Sequence, residues 1–471
     1  MAQIFFQTHG CRLNQIESEG AAKFFLDAGF SVAMENVSHA NENEVLLAIV
    51  NTCAVTTKAE QKARRSIRLL LEKFPKSLVV ITGCYAELEK NLGDFFFEKE
   101  RVLLLPGKYK SRLSDIAHEL KFFLETENEF SNEKFFAVLK KQIFNFPETE
   151  NKFSENSFKL FTTSFLSHSR AAIKIQDGCN SSCSYCAICL ARGKAVSLPF
   201  AELKKRVRTL EKNGFSEIVF TAVNLSQYAS EHNGELLNFS HALSLLLAET
   251  QNVFFRISSM YPEMIDEKFS RVLNHERVRP HFHLSIQSGS NTILRLMNRS
   301  YTRARVIEAI KILRRAKPDA FFSCDIIVGF PNESENDFSE TLSLCKECDF
   351  TFVHAFPFSA RKNTKAFSMN GKIPERIAKE RVKILHDFSV KQKISYIENF
   401  LGKSLRAVAE KKINENEITA TTENFVHCKI KLQNEKVKSG DAIFVKLSEV
   451  LFDNIANDDE IEACAIISGN V

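Results

Sequence analysis

Short apolar segments alternate with amphipathic helical patterns along most of this 471-residue chain, and this alternation restricts its fold more than any other feature. In the first third, the predicted strands are 4–8, 45–52, 78–82 and 102–105. The helical patterns that separate and follow them are 14–28, 58–74 and 109–124. Strands that alternate with helices form parallel sheets. We therefore predict an α/β fold class, with an N-terminal parallel α/β domain over residues 1–125.

The same alternation resumes after residue 168. The predicted strands are 172–176, 217–223, 253–258, 281–287, 322–328 and 351–356. A series of βα units curls into a barrel, which eight units close completely. We therefore predict a partial (βα)6 barrel over residues 169–400. Residues 126–168 show no clear period, and we predict a linker there with one short helix near 133–142.

The pattern changes again after a long helical stretch at 375–400. The predicted strands are now 404–410, 417–422, 428–432, 442–447 and 460–466. Closely spaced strands without intervening helices form small closed barrels, similar to those that bind oligonucleotides. We predict such a β-barrel over residues 401–471. Acidic residues outnumber basic ones in this region, so contact with nucleic acid would be confined to one side.

A loop directly after the first predicted barrel strand carries three cysteines, Cys179, Cys183 and Cys186, within eight residues. Iron–sulfur clusters usually take four thiolate ligands. A four-iron cluster held by this spacing would keep one iron open, and an open position is what a catalytic metal site needs. Barrel active sites also lie at the carboxyl ends of strands. The alternative interpretation is a structural zinc site completed by Cys189 or by a histidine.

A second group of cysteines follows the strands of the N-terminal domain. Cys11, Cys53 and Cys84 each come directly after the end of a predicted strand. A single cysteine at such a place is usually a small buried residue. Because the carboxyl ends of parallel strands meet at one edge of a sheet, we expect these three thiols to lie together. The sequence therefore predicts a second metal site.

The cysteine content and the hydropathy pattern bear on location and partners. The 12 cysteines come without a secretory signal, and no apolar run approaches the ~18 residues of a membrane span. We therefore expect reduced thiols in a cytoplasmic protein without membrane contact. The net charge of +5 permits an anionic partner without requiring one. Helix 58–74 has a basic outer side that could meet phosphates.

Several motifs together resemble the methylthiotransferases of the radical S-adenosylmethionine superfamily. The barrel loop reads KIQDGCNSSCSYC, and the N-terminal motifs read THGCRLNQIESE, NTCAVTTKAEQKARR and VVITGCY. Further matches are HFHLSIQSGSNTILRLMNR, DIIVGFPNES and HAFPFSARKNT, and the C-terminal region is similar to a TRAM domain. The resemblance covers nearly the whole chain apart from the linker. It implies two 4Fe–4S clusters, held by Cys11, Cys53 and Cys84 and by Cys179, Cys183 and Cys186.

The resemblance also implies a reaction and further site residues. The cluster on the barrel loop would reductively cleave S-adenosylmethionine, and the radical formed would take the hydrogen from C2 of an adenine. The second cluster would deliver a methylated sulfur, with an electron donor such as flavodoxin or ferredoxin as a partner. The implied S-adenosylmethionine contacts are Thr221, Asn224, Gln287, Ser288, Asp325 and Gly329. The sequence departs from the family at Ala222 and Asn332, where glycine is usual.

Within the family, the motifs GCRLNQIES and KIQDGCN fit the branch that acts on threonylcarbamoyl-adenosine in tRNA. The expected partner is therefore the anticodon stem-loop of tRNA. The alternatives are a methylthiotransferase acting on isopentenyl-adenosine in tRNA or on a ribosomal protein, and the acidic C-terminal region agrees with the latter. An alternative of another class is a cluster-bearing RNA-binding or electron-transfer protein without radical chemistry.

Overall fold

The computed structural model describes residues 3–34, 45–89, 91, 99–127, 130–143, 157–432 and 436–470. The N-terminal strands are β1 (Gln3–Thr8), β2 (Ser31–Ala33), β3 (Val45–Thr52), β4 (Leu78–Gly83) and β5 (Val102–Leu104). They form one parallel sheet in the order β2-β1-β3-β4-β5. The predicted parallel sheet is confirmed, and β2 is an addition to it.

The N-terminal helices pack on both faces of this sheet. They are α1 (Arg12–Asp27), α2 (Thr57–Lys73), α3 (Cys84–Leu88), α4 (Leu113–Thr126) and α5 (Asn132–Gln142). One core cluster joins the sheet to α1, α4 and α5, and another joins it to α2 and α3. Strand β4 is buried along its whole length, and β3 almost so, which is why their sequences are continuously apolar.

The predicted linker contains α5, as expected, and its residues 128–129 and 144–156 lie outside the described residues. Residues 157–170 run between the N-terminal sheet and the next unit. Leu160 is buried in the core of the N-terminal sheet, whereas Phe161 and Phe165 pack against the core of the barrel. This segment therefore contacts both units.

The second unit is a partial barrel. Its strands and short hairpins are β6 (Ala171–Asp177), β7 (Val196–Ser197), β8 (Glu217–Ala222), β9 (Ala229–His232), β10 (Glu235–Asn238), β11 (Phe254–Ile257), β12 (His281–Gln287), β13 (Phe321–Val328) and β14 (Phe352–Pro357). Parallel pairing gives the series β6-β8-β11 and β12-β13-β14, and single bridges join β11 and its neighbouring loop to the β12 side. In the described part of the chain β6 and β14 do not pair, so the barrel has an open seam.

Helices cover the outside of the partial barrel. They are α6 (Ile188–Arg192), α7 (Phe200–Lys212), α8 (Phe239–Glu249), α9 (Glu267–Leu273), α10 (Asn291–Leu296), α11 (Arg303–Ala316), α12 (Glu335–Glu347) and α13 (Glu375–Glu398). Ala171, Ile173 and Ile175 of β6 belong to the core beneath these helices. Since side chains alternate along a strand, the intervening residues of β6 face the lumen. There Ala172 meets Ile16 of α1, which places the first helix of the N-terminal unit against the inner side of the barrel.

The C-terminal unit is a closed barrel with the strand order β15-β16-β17-β19-β18. Its elements are β15 (Ser404–Asn414), β16 (Glu417–Thr422), β17 (His427–Lys431), β18 (Ala442–Val450), α14 (Phe452–Ala456) and β19 (Ala463–Asn470). The predicted β-barrel is thus confirmed. No described helix is both long and apolar enough to cross a membrane.

The closed barrel packs on the amino-terminal ends of the partial-barrel strands. Phe425 stacks on His281, the first residue of β12, with ring centroids 4.0 Å apart and an interplanar angle of 23°. Arg256 lies over the same phenyl ring at 5.1 Å and donates to the Thr422 carbonyl at 3.1 Å. Arg170 pairs with Glu410 at 2.9 Å. The C-terminal unit therefore closes the lower end of the partial barrel.

Candidate active site

The three thiols of the barrel loop lie at the carboxyl end of β6, where the sequence predicts them. Gly178 has a φ of +66°, and a Cβ there would lie 2.0 Å from the Lys194 carbonyl oxygen. Only glycine therefore lets the loop pass this close to the end of α6. The Cys179 N–H donates to the Gly193 carbonyl at 3.1 Å, which fixes the start of the loop.

Each sulfur of this loop accepts one hydrogen bond. The Ser181 N–H donates to Cys179 Sγ at 3.3 Å, and the Ile188 N–H donates to Cys186 Sγ at 3.5 Å. Arg299 Nη1 donates to Cys183 Sγ at 3.4 Å. Such donors stabilise a thiolate over a thiol. Burial, with the neighbouring thiols, raises the pKa of Cys186 to about 12, so that a bound cation would be needed to keep it ionised.

The thiols of Cys11, Cys53 and Cys84 come together at one edge of the N-terminal sheet. Cys11 is exposed, and the other two are buried. Burial raises the pKa of Cys53 to about 11, and the charges of the other two thiols add to this effect because they are close. Gly10, at a φ of +97°, makes the approach possible, since a Cβ there would lie 2.5 Å from the Cβ of Cys53.

The described residues contain no group of three or more His, Cys, Asp or Glu side chains arranged around a single metal ion. A mononuclear zinc site requires its ligands to converge on one point. The thiolates of a four-iron cluster instead bind different iron atoms. The two groups of three thiols, with the hydrogen bonds that their sulfur atoms accept on the barrel loop, fit such a cluster better than one ion. Cys189, the proposed fourth zinc ligand, donates to the Ser181 carbonyl at 3.0 Å.

A buried ionic network joins the two groups of thiols. It contains Glu17 of α1, Lys110, Lys174 and Asp177 of β6, and Arg192 at the end of α6. Lys174 donates to Glu17 and to Asp177, at 2.8 Å each, and Lys110 donates to Glu17. Arg192 Nη1 donates to Glu17 at 2.9 Å and to Asp177 at 3.0 Å. Burial alone would raise the pKa of Glu17, but the three cations together hold it well below its usual range.

Asn14 extends this network to the N-terminal thiol loops. Its Oδ1 accepts from Arg192 Nη2 at 2.8 Å. Its Nδ2 donates to the carbonyls of His9 and Thr52, both at 2.9 Å. His9 lies two residues before Cys11, and Thr52 directly precedes Cys53. Arg192, six residues after Cys186, is thereby tied to the loops that carry the other thiols. One hydrogen-bonded network thus fixes the position of both thiol groups.

A cavity of about 830 Å³, here called the lumen cavity, lies between α1, strands β13 and β14 of the partial barrel, and the C-terminal barrel. Arg12 and Gln15 of α1 line one side, and residues of β13, β14 and the C-terminal barrel line the others. Burial and the charges of Arg170 and Arg256 lower the pKa of Arg12 to about 10. The size suits a nucleoside-sized ligand.

The predicted S-adenosylmethionine contacts lie at or near the carboxyl ends of β8, β12 and β13. Thr221 and Asn224 are buried, and Asn224 accepts from the Ser226 N–H at 3.0 Å. Gln287 ends β12 at a φ of +67°. Ser288, Asp325 and Gly329 are engaged within the protein. Ser288 lies beside the Thr341 hydroxyl, Asp325 accepts from His283 Nε2 at 3.0 Å, and the Gly329 N–H donates to Glu333 at 2.6 Å.

These contacts remain predictions. At Asn332, where the family usually has glycine, the backbone keeps a left-handed φ of +66°. Asparagine tolerates this conformation better than most residues. The loss of glycine therefore leaves the local backbone possible.

Sequence reasoning missed all residues of the ionic network and Arg299; the basic ones among them are Lys110, Lys174, Arg192 and Arg299. Each acts on a partner far away in the chain, and its local sequence reads as an ordinary basic position. The available signal for Arg299 was its place in the motif RLMNR, where a basic residue follows a helix that starts just beyond β12.

The comparisons with known proteins agree with this geometry. The model of the Radical SAM superfamily matches residues 173–345, which contain the thiol loop and most of the partial barrel. The model of the uncharacterized protein family UPF0004 matches residues 3–103, the N-terminal sheet. These two matches define a class of radical SAM proteins with an additional N-terminal α/β unit.

Curated relatives cover nearly the whole chain. The threonylcarbamoyladenosine tRNA methylthiotransferase MtaB of Treponema pallidum (strain Nichols) is 42% identical over 90% of this chain and 94% of its own length. The protein of the same name from Aquifex aeolicus (strain VF5) is 35% identical, over 91% and 96%. The tRNA-2-methylthio-N(6)-dimethylallyladenosine synthase of Treponema denticola is 30% identical, over 86% and 88%. The chain belongs to the radical SAM tRNA methylthiotransferase family.

The superfamily uses S-adenosylmethionine and a 4Fe–4S cluster, and methylthiotransferases carry two such clusters. Among solved structures, the cobalamin-dependent S-adenosylmethionine radical enzyme OxsB is similar with a TM-score of 0.50. It is 12% identical and covers 85% of this chain and 56% of its own. This likeness supports the fold alone.

Proposed function

We propose that this enzyme converts threonylcarbamoyl-adenosine beside the tRNA anticodon to its 2-methylthio derivative. The observation that carries the proposal is the pair of three-thiol groups tied together by Glu17, Asn14 and Arg192. A reaction that forms a radical at one centre and transfers sulfur from another needs such fixed placement. The names of the relatives support threonylcarbamoyl-adenosine rather than isopentenyl-adenosine or a ribosomal protein as the substrate.

Cys179, Cys183 and Cys186 would hold the cluster that binds S-adenosylmethionine, and Cys11, Cys53 and Cys84 would hold the second. When bound, these groups supply the reductive cleavage of S-adenosylmethionine and the sulfur that is transferred. The protein contributes the N–H donors that stabilise the thiolates and the network that sets their relative position. Arg299 has a further part, because it adds positive charge beside Cys183.

The lumen cavity would accept the modified adenine after it leaves the base stack. Enzymes that act on a base within folded nucleic acid take it out of the stack into a pocket. The cavity lies beside the first turn of α1, directly after Cys11. The candidate ligand cysteines do not themselves line the cavity, and a base bound beside Arg12 would lie next to the residue that follows Cys11.

The surrounding units would bind the RNA. In this proposal residues 1–125 carry the second cluster, 126–168 form the linker, 169–400 form the radical SAM barrel and 401–471 form a TRAM domain. Exposed cations occur on α2 and on the closed barrel: Lys58, Lys62, Arg65 and Arg68, and Lys411, Lys412 and Lys431. Phosphate contacts supply most of the affinity in such complexes. A cytoplasmic location and an electron donor such as flavodoxin or ferredoxin complete the proposal.

Mass spectrometry of tRNA nucleosides tests the proposed reaction. In a strain that lacks the gene, 2-methylthio-threonylcarbamoyl-adenosine should be replaced by its unthiolated precursor. Complementation with C183A should fail, whereas C464A, a cysteine of β19, should restore the modification. Unchanged tRNA in the deletion strain would overturn the proposal. Incubation of the reconstituted enzyme with tRNA and with ribosomes separately distinguishes the two substrate classes.

A further inference from the structure

The polar side chains at the start of α1 fall into two groups. Most have partners within the protein: Asn14 and Glu17 belong to the ionic network, and Glu19 accepts from Ser167 and from the Leu166 N–H at 2.8 Å. The side chains of Arg12 and Gln15 make no hydrogen bond or ion pair with any residue that the structure describes. The two stand three positions apart, so they are neighbours on one face of the helix.

Arg12 and Gln15 both line the lumen cavity, where they are only half-buried. Two other cations that line this cavity are already paired. Arg170 binds Glu410 at 2.9 Å, and Lys393 binds Glu462 at 2.6 Å. The carboxylates whose charges act on Arg12, Glu410 and Glu217, already pair with other arginines. The Arg12 guanidinium thus keeps its donors for an anionic ligand. The cavity therefore offers the Arg12 guanidinium and the Gln15 amide to a ligand, and the exposed Lys411 also lines it.

These groups match the chemistry of a threonylcarbamoyl substituent. That substituent adds a carboxylate, a hydroxyl and a ureido group to N6 of adenine, whereas an isopentenyl substituent is apolar. Guanidinium groups bind carboxylates through two parallel hydrogen bonds. A glutamine amide offers both a donor and an acceptor, as a ureido group requires. We propose that Arg12 binds the carboxylate of the threonylcarbamoyl group and that Gln15 binds its ureido group.

This assignment rests on the proposed function and makes α1 the element that reads the substrate. Arg12 directly follows Cys11 in the chain. Binding of the N6 substituent at Arg12 would hold the base with its six-membered ring close to the N-terminal thiols. Specificity and sulfur delivery would then depend on the same turn of α1. Sites built to hydrogen-bond a polar group strongly reject analogues that lack it.

Binding of anticodon stem-loop RNAs to the full-length reconstituted holoenzyme tests the assignment. The RNAs carry threonylcarbamoyl-adenosine, its carboxyl methyl ester, or unmodified adenosine, and Kd is measured by fluorescence anisotropy. R12Q should weaken binding of the first RNA roughly tenfold to 150-fold, the range for hydrogen bonds to charged groups. The Kd values of the other two RNAs should be unchanged in R12Q. R12K keeps the charge without the planar fork and should recover part of the loss.

Two further measurements distinguish the loss of a substrate contact from a folding defect next to Cys11. The methyl ester removes the carboxylate from the RNA, so the wild-type enzyme should bind it with the same loss as R12Q shows toward the acid. Q15L, one helical turn after Cys11, changes only a side chain without a partner among the described residues and should also weaken binding of the threonylcarbamoyl RNA selectively. K411Q, which alters an exposed cation at the cavity, is the matched control and should affect all RNAs alike.

The outcomes separate this inference from the proposed function. If the wild-type enzyme prefers the threonylcarbamoyl RNA and R12Q keeps that preference, Arg12 does not read the substituent and the inference is wrong. The same holds if R12Q weakens all three RNAs equally, since Arg12 would then be a phosphate contact. If the wild-type enzyme shows no preference and tRNA nucleosides are unchanged in the deletion strain, the proposed function itself fails.

Discussion

Replacement of Glu17 by glutamine removes one negative charge from the buried network and leaves its shape almost unchanged. In the wild-type protein the carboxylates of Glu17 and Asp177 face the cations of Lys110, Lys174 and Arg192. E17Q leaves one carboxylate for three cations. K110M, in contrast, leaves two carboxylates for two cations. Both variants remove the pair between Lys110 and Glu17, and E17Q also removes the pairs of Glu17 with Lys174 and Arg192. Only E17Q increases the unbalanced charge.

The expected cost follows from the burial of this network. All five side chains are at most 8% exposed. Removal of one partner from a buried ion pair costs about 3–5 kcal/mol, because the remaining charge stays in a medium of low polarity. We expect E17Q to lie in that range. K110M should cost clearly less, because the charges that remain are balanced and the methionine fills most of the space of the lysine.

Hydrogen–deuterium exchange of the α1 peptide measures this cost locally. A chain of several packed units need not unfold in a single step, so local opening is a better measure than a global midpoint. A loss of about 3–5 kcal/mol corresponds to exchange that is roughly 150- to 5,000-fold faster, since 1.36 kcal/mol is a factor of ten. Far-UV circular dichroism checks the global fold, because the chain contains no tryptophan.

The comparison of the two variants decides whether the argument is correct. Faster exchange in K110M than in E17Q would refute it, because hydrogen-bond loss rather than unbalanced charge would then dominate. Equal exchange in E17Q and the wild type would show that the network does not hold α1 against the barrel.

Three further predictions concern pH, the N-terminal thiols and the C-terminal barrel. The pKa of Glu17 in the folded protein is held well below its usual 4.5, so the ionised carboxylate stabilises the fold fully above pH 4.5 and loses this effect as the pH falls toward the pKa of the folded state. The difference in exchange rate between E17Q and the wild type should therefore shrink in acid, and a constant difference would contradict this. G10A should displace Cys53 and halve the iron content after reconstitution, and a wild-type iron content in G10A would contradict this. G29A is the control, because Gly29 also has a positive φ but a Cβ there would have nothing within 4 Å, and it should keep the wild-type iron content. F425A should weaken the packing of the C-terminal barrel on the partial barrel by about 1–3 kcal/mol, a moderate cost because the ring is only partly buried. Limited proteolysis after residue 400 would detect the weaker packing, and wild-type resistance to the protease would argue against the stacked contact.

The strands and the long helices were predictable because their patterns are local. Parallel strands buried on both faces, such as β3 and β4, give continuous apolar segments that mark them in the sequence. Strand β2 was missed because Ser31–Ala33 is too short to show a period. The boundaries of β19 were also displaced, since it starts at Ala463 and the residues before it continue the preceding loop.

The thiols were predictable for a topological reason. Residues directly after parallel strands share one edge of the sheet, so the meeting of Cys11, Cys53 and Cys84 follows from the order of elements alone. The ionic network was not predictable. Glu17 and Arg192 are 175 residues apart, and their charges suggest a solvated helix face until α1 is placed against the barrel. Long-range pairs leave no period in the sequence.

The contact of Phe425 with His281 has a consequence for the modularity of the chain. The lower end of the partial barrel is closed by the last seventy or so residues of the chain, through an aromatic stack and an arginine that donates to the Thr422 carbonyl. A truncation at residue 400 would thus uncover the amino-terminal ends of the partial-barrel strands and expose Arg256 and His281 to water. We therefore expect that a C-terminal barrel from a homologue replaces this one only if the residues that contact it, such as Arg256 and His281, are exchanged with it.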